Sequence, residues 1–194
     1  SRGDAWSTVR CVQPSFGSLS LSDALIAVIG ELGYTKPTAI QIEAIPALLA
    51  GRDVVGQSQT GSGKTAAFSL PILQRVDIGN LSVQALVLCP TRELTAQVAR
   101  EVRTLGRGHN GLKVLELVGG QPGKPQRDAL ERGVHIVIGT PGRLLDHLGR
   151  GSLDPTSIMT LVLDEADRML DMGFGDDVRN IVREMPSSRQ TALF

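Results

Sequence analysis

The string Ser58-Gln59-Thr60-Gly61-Ser62-Gly63-Lys64-Thr65 has the composition of a loop that holds phosphate. It follows a short apolar run, Asp53–Gln57, and opens an amphipathic one. Strand, glycine-rich turn, then helix is the context a phosphate-binding loop requires. Gly61 and Gly63 let backbone N–H groups turn inward on phosphate oxygens, and the helix start adds partial positive charge. Lys64 is spaced to reach the β- and γ-phosphates, and Thr65 to ligate Mg²⁺. The strict pattern has glycine where this chain has Ser58, and serine is small enough to keep the loop's path. The plain alternative is a structural turn with an exposed lysine, but the position after a strand favours nucleotide binding.

Far along the chain a second apolar run, Met159–Leu163, ends in Asp164-Glu165-Ala166-Asp167. A carboxylate at the tip of a buried strand beside the phosphate-loop strand can hold Mg²⁺. Asp164 is the natural metal partner, and Glu165 is placed to polarise an attacking water. Successive side chains leave a strand in different directions, so one can face the metal and the other the terminal phosphate. Alone, the same acidic string would equally suit a helix N-terminus. Its pairing with the phosphate loop turns it toward chemistry, with Lys64, Asp164 and Glu165 as the catalytic set.

These residues need a scaffold, and the periodicity supplies one. Ser20–Leu32 carries a helical apolar stripe that Ser22 or Ser20 can cap and Gly33 can stop. Thr38–Leu49 reads as a second helix, ended near Gly51. Short β-rich runs then alternate with amphipathic segments. The runs are Asp53–Gln57, Gln84–Cys89, Lys113–Val118, His135–Gly139, Met159–Leu163 and Gln190–Phe194. The segments are Lys64–Arg75, Glu93–Leu105, Pro125–Arg132, Gly142–Leu148 and Asp177–Glu184. This alternation implies an α/β domain, a mostly parallel sheet with helices on both faces. Ligands of such sheets bind beyond the C-terminal ends of the strands. Residues 1–15 lack periodicity and read as a flexible leader, so the folded body is expected to run over residues 16–194.

Composition narrows the class further. A chain of 194 residues, 41% apolar and 21% charged, matches one globular domain. Twenty Lys and Arg balance twenty Asp and Glu, which excludes a uniformly basic nucleic-acid glove but not a local basic groove. No apolar run is long enough for a membrane helix, and the N-terminus does not read as a signal peptide. Cys11 and Cys89 make no disulfide framework, and His109, His135 and His147 lack metal-ligand spacing. A reducing cytoplasm is the expected compartment. The 22 glycines suggest turns where backbone approaches a ligand closely.

Taken together, these residues resemble the DEAD-box ATP-dependent RNA helicases, whose namesake motif Asp164-Glu165-Ala166-Asp167 spells. The resemblance covers nearly all of residues 16–194 and implies a RecA-like P-loop NTPase lobe with ATP and Mg²⁺ as cofactors. Gly33-Tyr34-Thr35-Lys36-Pro37-Thr38-Ala39-Ile40-Gln41 resembles the adenine-reading Q motif, and Phe16 stands where the family places an isolated aromatic. By that resemblance Gln41 hydrogen-bonds the adenine edge, Tyr34 stacks on its face, and Phe16 and Lys36 complete the site. Pro90-Thr91-Arg92-Glu93-Leu94, Gly119-Gly120 and Thr140-Pro141-Gly142-Arg143 resemble the family's RNA-contact motifs. Thr95 stands where alanine is usual. The strings around Gly119–Pro122, Arg143–Leu148 and Arg168–Phe174 look most like the bacterial DbpA type, a subfamily linked to ribosomal RNA.

The physics of the RNA motifs agrees. Each sits where a strand runs into a helix. Thr140 can cap, Pro141 suits the first helical position, and Gly142 lets backbone come close. RNA phosphates would be held by helix N-termini together with Arg92 and Arg143, with little sequence preference. The resemblance also implies a second RecA-like lobe in cis, with an arginine finger and a Ser-Ala-Thr motif that lie outside these residues. The chain alone is therefore expected to bind nucleotide and hydrolyse little. Two alternatives stay open: a P-loop module with regulatory or scaffold duty, and another P-loop enzyme such as a small-molecule kinase or a GTPase. No Asn-Lys-x-Asp guanine reader is visible.

Overall fold

The computed structural model describes residues 14–59 and 61–194. The leader expected over residues 1–15 lies almost wholly outside them, as does Thr60. A 3₁₀ turn, Phe16–Leu19, precedes helices α1 (Asp23–Glu31) and α2 (Ala39–Leu49). Strands β1 (Val54–Val55), β2 (Ala85–Leu88), β3 (Val114–Leu117), β4 (Ile136–Gly139), β5 (Thr160–Leu163) and β6 (Gln190–Leu193) follow. Between them come α3 (Lys64–Arg75), α4 (Arg92–Leu105), α5 (Gly123–Glu131), α6 (Pro141–Gly149), α7 (Ala166–Asp171) and α8 (Gly175–Glu184).

The sheet order is β1-β6-β5-β2-β4-β3, and every described pairing is parallel rather than mostly so. Parallel strands need both faces covered, and the central strands are buried along their whole length. Alternation divides β2 cleanly. Ala85 and Val87 join the core under α1 to α4, while Leu86 and Leu88 join a second core with residues of α6, α7 and α8.

Two expectations change. The acidic strand β5 is not the neighbour of the phosphate-loop strand, because β6 lies between them. Strand order is set by long-range pairing, which no local pattern encodes. The short α7, which begins within the acidic string at Ala166, is not among the expected elements. Six residues hold too little periodicity to declare a helix. Ser22 caps α1, its hydroxyl accepting from Leu25 N–H at 3.4 Å, and Gly33 and Gly51 take left-handed φ at the ends of α1 and α2.

Buried polar side chains fasten the loops that frame the sheet. His135 accepts from Lys113 N–H at 2.9 Å on Nδ1, leaving Nε2–H to donate to Ile78 O at 3.1 Å. It is therefore a structural histidine. Gln190, on β6, donates through Nε2 to Leu48 O at 3.0 Å and Arg52 O at 2.6 Å. Its Oε1 accepts from Arg75 Nη1 at 2.9 Å. One amide thus ties β6 to the ends of α2 and α3, on both sides of the phosphate-loop strand. Replacing it with leucine leaves Arg52 O without its donor, while Arg75 Nη1 and Leu48 O keep their bond to each other at 3.3 Å. Gln190→Leu is expected to cost about 1–3 kcal/mol in denaturant melts, and a loss within about 0.5 kcal/mol would show that the amide is dispensable.

Candidate functional site

The phosphate loop bridges the end of β1 and the start of α3. Gly61 and Gly63 both hold left-handed φ, at 82° and 88°. A side chain at Gly63 would also strike the Gln41 amide. Both observations explain the glycines. Ser58, the departure from the strict pattern, hydrogen-bonds the Ser62 hydroxyl across the loop. Ser62 N–H donates to Gln59 O at 3.2 Å, so Gln59 and Ser62 shape the turn. Lys64 Nζ donates to Ser58 O at 3.2 Å, which places its charge inside the loop's curve.

Across from it stands the acidic tip of β5. Asp164 is 3% exposed, and Glu165 follows with φ 52° and ψ 52°. A left-handed glutamate is strained and needs surrounding structure to hold it. Here Ala166 N–H is pinned to Phe194 O at 3.1 Å, and Glu165 Oε2 meets Arg168 Nη1 at 2.9 Å. Glu165 occupies the N-cap position of α7, yet its side chain makes no cap bond. The helix start thus accounts for Asp167, which accepts from Arg168 N–H at 2.8 Å, but not for Asp164 or the Glu165 side chain.

Tyr34, Lys36, Thr38, Gln41, Gly61, Gly63, Lys64, Thr65, Asp164 and Glu165 all line one cavity of about 340 Å³. Sequence reasoning missed Gln97 and Glu101, which line it from α4 beside Leu94. Leu94, Gln97 and Glu101 recur at helical spacing, and that shared face was the available signal. Phe16 is not among the lining residues. It packs edge-to-face on Tyr34, with ring centroids 6.2 Å apart, and so buttresses the ring that borders the cavity.

Gln41 takes a second role. It is buried, its Oε1 accepts from Thr38 N–H at 3.0 Å, and its Nε2 donates to Gly63 O at 3.1 Å. The amide expected to face a base edge lines the cavity and also ties the start of α2 to the phosphate loop.

Electrostatics follow from burial. Removal from water raises the Asp164 carboxyl to about 6; Glu165 and Glu101 push the same way and Lys64 opposes them. Burial also raises Glu101, against a hydrogen bond from Thr65. No group of three or more His, Cys, Asp or Glu side chains suited to a metal ion gathers among the described residues. A donor set limited to Thr65 and Asp164 fits Mg²⁺, which keeps waters and takes phosphate oxygens, and does not fit an all-protein cage.

The three RNA-type turns also converge. Pro90, Thr91, Arg92, Gly119, Thr140, Gly142 and Arg143 line a second hollow of about 510 Å³, joined by Glu93, Met172 and Phe174. Thr91 caps α4, its hydroxyl accepting from Leu94 N–H at 3.2 Å. Thr95, buried where alanine is usual, donates its hydroxyl to Thr91 O at 2.8 Å. Thr140 holds the N-cap position of α6 with Pro141 as the first residue, but its side chain makes no cap bond. Gly120 has φ 76°, and a side chain there would strike the Arg92 guanidinium. Arg143 lines the hollow and is also anchored. Its Nε donates to Val118 O at 3.1 Å and its Nη2 to Gln121 O at 2.6 Å. It secures the glycine loop, whereas Arg92 stays exposed.

A polar network lies beneath that loop. Gln126 donates to Val118 O at 3.2 Å and joins His147 Nε2 at 3.0 Å, while His147 Nδ1 meets Ser152 at 2.8 Å. Burial and nearby arginines hold His147 below its usual pKa, against Asp146.

Comparison with known proteins agrees with this geometry. The model of the DEAD/DEAH box helicase family matches residues 38–194. The chain is 53% identical over 181 residues to the ATP-dependent RNA helicase DbpA of Escherichia coli K12, covering 93% of the chain and 40% of that protein. It is 52% identical over 182 residues to the ATP-dependent RNA helicase DeaD of the same strain, covering 94% of the chain and 29% of that protein. The crystal structure of a DEAD box protein from Methanococcus jannaschii matches with TM-score 0.89 and 42% identity, over 93% of this chain and 49% of that one. The chain therefore belongs to the DEAD-box helicase family and has its RecA-like fold. It spans less than half the length of these relatives.

Asp164 gives a pH test. Its ordinary value is 3.8, and here it ionises near 6. Between those values the native state holds a proton that the unfolded chain has lost, so stability falls as pH rises through that window. Above it the cost of the buried charge persists, on the order of 2–3 kcal/mol. In melts without nucleotide, Asp164→Asn is expected to raise stability at pH 7.5 and to raise it less at pH 5. Equal shifts at both pH values would contradict a buried, costly carboxylate.

Proposed function

We propose that this chain is the ATP-binding lobe of an RNA helicase that couples ATP binding and hydrolysis to local RNA duplex unwinding. The observation that carries the reading is the sharing of α4 between two sites. Its first turn sends Arg92 and Glu93 to the RNA-type hollow, and its next residues send Leu94, Gln97 and Glu101 to the nucleotide cavity. A rigid helix bordering both sites lets a change at one be felt at the other.

Within the cavity, the loop N–H groups and Lys64 would hold the phosphates, with Thr65 and Asp164 holding Mg²⁺. When bound, that ion supplies charge neutralisation on the transferring phosphoryl group. Glu165 would orient the attacking water once its carboxylate leaves Arg168. Tyr34 and Lys36 border the space where a base fits. The left-handed backbone at Glu165 supports a working role, since such strain clusters at active sites.

The partner is RNA held by its backbone, and ribosomal RNA is the substrate class implied by the DbpA-type strings. A second lobe in cis would supply the arginine finger, a group worth ~10³–10⁵ in rate. The 194 residues alone are accordingly expected to bind ATP and hydrolyse little. Robust RNA-stimulated turnover by them alone would contradict this division of labour. A cytoplasmic location suits Cys89, a buried free thiol. No described helix is long and apolar enough to cross a membrane.

Calorimetry with ATP and GTP on two variants tests the assignment. Lys64→Ala is expected to abolish binding of both. Gln41→Ala is expected to weaken both roughly tenfold through the lost tie to Gly63, with ATP suffering more. Unchanged ATP affinity in Lys64→Ala removes the phosphate role. A Gln41→Ala loss confined to ATP assigns that amide to base reading alone.

A further inference from the structure

We propose that Lys124 and Arg127, on the first turns of α5, carry the RNA backbone beyond the hollow formed by the three turns. The proposal rests on the reading of that hollow as an RNA site. Gly119 lines the hollow and Gly123 opens α5, so the glycine loop leads directly from one to the other. A Cβ at Gly123 would lie 3.2 Å from Arg127 Nη1 and 3.6 Å from Arg143 Nη1. Two guanidinium groups therefore flank one point of the backbone. Arg143 is anchored to loop carbonyls, and its carboxylate partner Asp146, at 3.4 Å, is shared with Arg150 at 2.6 Å. Arg127 is half-buried and takes part in no ion pair among the described residues. Lys124 beside it is exposed and likewise unpaired among them.

Here Asp146 is the one carboxylate paired with the group among the described residues, shared between Arg143 and Arg150, and the excess of positive charge creates a local field that an anion relieves. Burial is the first cause of the lowered pKa of His147, and Arg143, Arg127 and Arg150 add to it against Asp146, which places His147 in the same field. A nucleic-acid backbone is the anion that fits. The patch continues a groove already lined by phosphate-type turns, and the chain's balanced net charge makes such a concentration local rather than general. The pattern predicts a longer binding footprint with no added sequence preference, because phosphate contacts carry no base information.

The test uses the full-length protein that contains this chain. Fluorescence anisotropy with labelled single-stranded RNAs of about six and about twelve nucleotides compares wild type with a Lys124→Gln, Arg127→Gln double variant. The longer RNA is expected to lose on the order of tenfold in affinity, with a log–log salt slope shallower by about one to two; the shorter RNA changes little. Arg127→Lys is expected to keep most of the affinity and the slope. Unchanged melting temperature and ATP affinity establish that the double variant is folded. Equal losses for both lengths, or no loss for either while Arg92→Gln weakens binding, overturn the extended track and leave the hollow intact. RNA affinity that Arg92→Gln also leaves untouched overturns the underlying reading instead. Calorimetric binding of pyrophosphate that the double variant abolishes, with RNA affinity unchanged, assigns the patch to a free phosphate compound and also overturns the proposal.

Discussion

A carboxyl group taken out of water must find a cation or keep its proton. Asp164 is under that constraint, and much of the site follows from it. It is held at the tip of a buried strand, with Glu165 and Glu101 adding to the cost of its charge. Lys64 relieves part of that cost, and Mg²⁺ would relieve the rest while bringing phosphate oxygens with it. The cavity's lining suits an anion with its cation. Its glycines leave room, its lysine bonds a loop carbonyl that phosphate can replace, and its acid waits for a counter-charge. Binding energy would come from satisfying groups that folding leaves poorly satisfied.

The same economy links the two sites. Helix α4 begins under the RNA-type hollow and continues along the nucleotide cavity, while the strand carrying Asp164 runs through Glu165 and α7 toward Met172 and Phe174 at the hollow's rim. Each route is a short, packed element rather than a chain of contacts. Arg143, Gln126 and His147 stiffen the glycine loop from below, so the hollow's shape is held by buried hydrogen bonds and its exposed charge is left to Arg92 and its neighbours.

What was legible in the sequence depended on how local each feature is. The phosphate loop, the acidic tip and the three RNA-type turns are contiguous strings, and each lies where a strand meets a helix, as expected. The period of the apolar residues placed every strand within a residue or two. Strand order was not legible, because β6 inserts between β1 and β5 through long-range pairing. Glu101 escaped notice for a related reason. Its place in the cavity depends on how α4 lies over α3, although its spacing from Leu94 and Gln97 marked the face. The structural ties of Gln41 and Arg143 could not be read either. Residue type says that an amide or a guanidinium can donate, and only the fold shows that Gly63, Val118 and Gln121 accept.

The most direct measurement is a crystal structure of this chain grown with Mg²⁺ and a non-hydrolysable ATP analogue. The account predicts a triphosphate wrapped by the loop from Ser58 to Thr65, with the ion between Thr65, Asp164 and phosphate oxygens. A folded chain that leaves this loop without ligand, or that seats the nucleotide elsewhere, would contradict it.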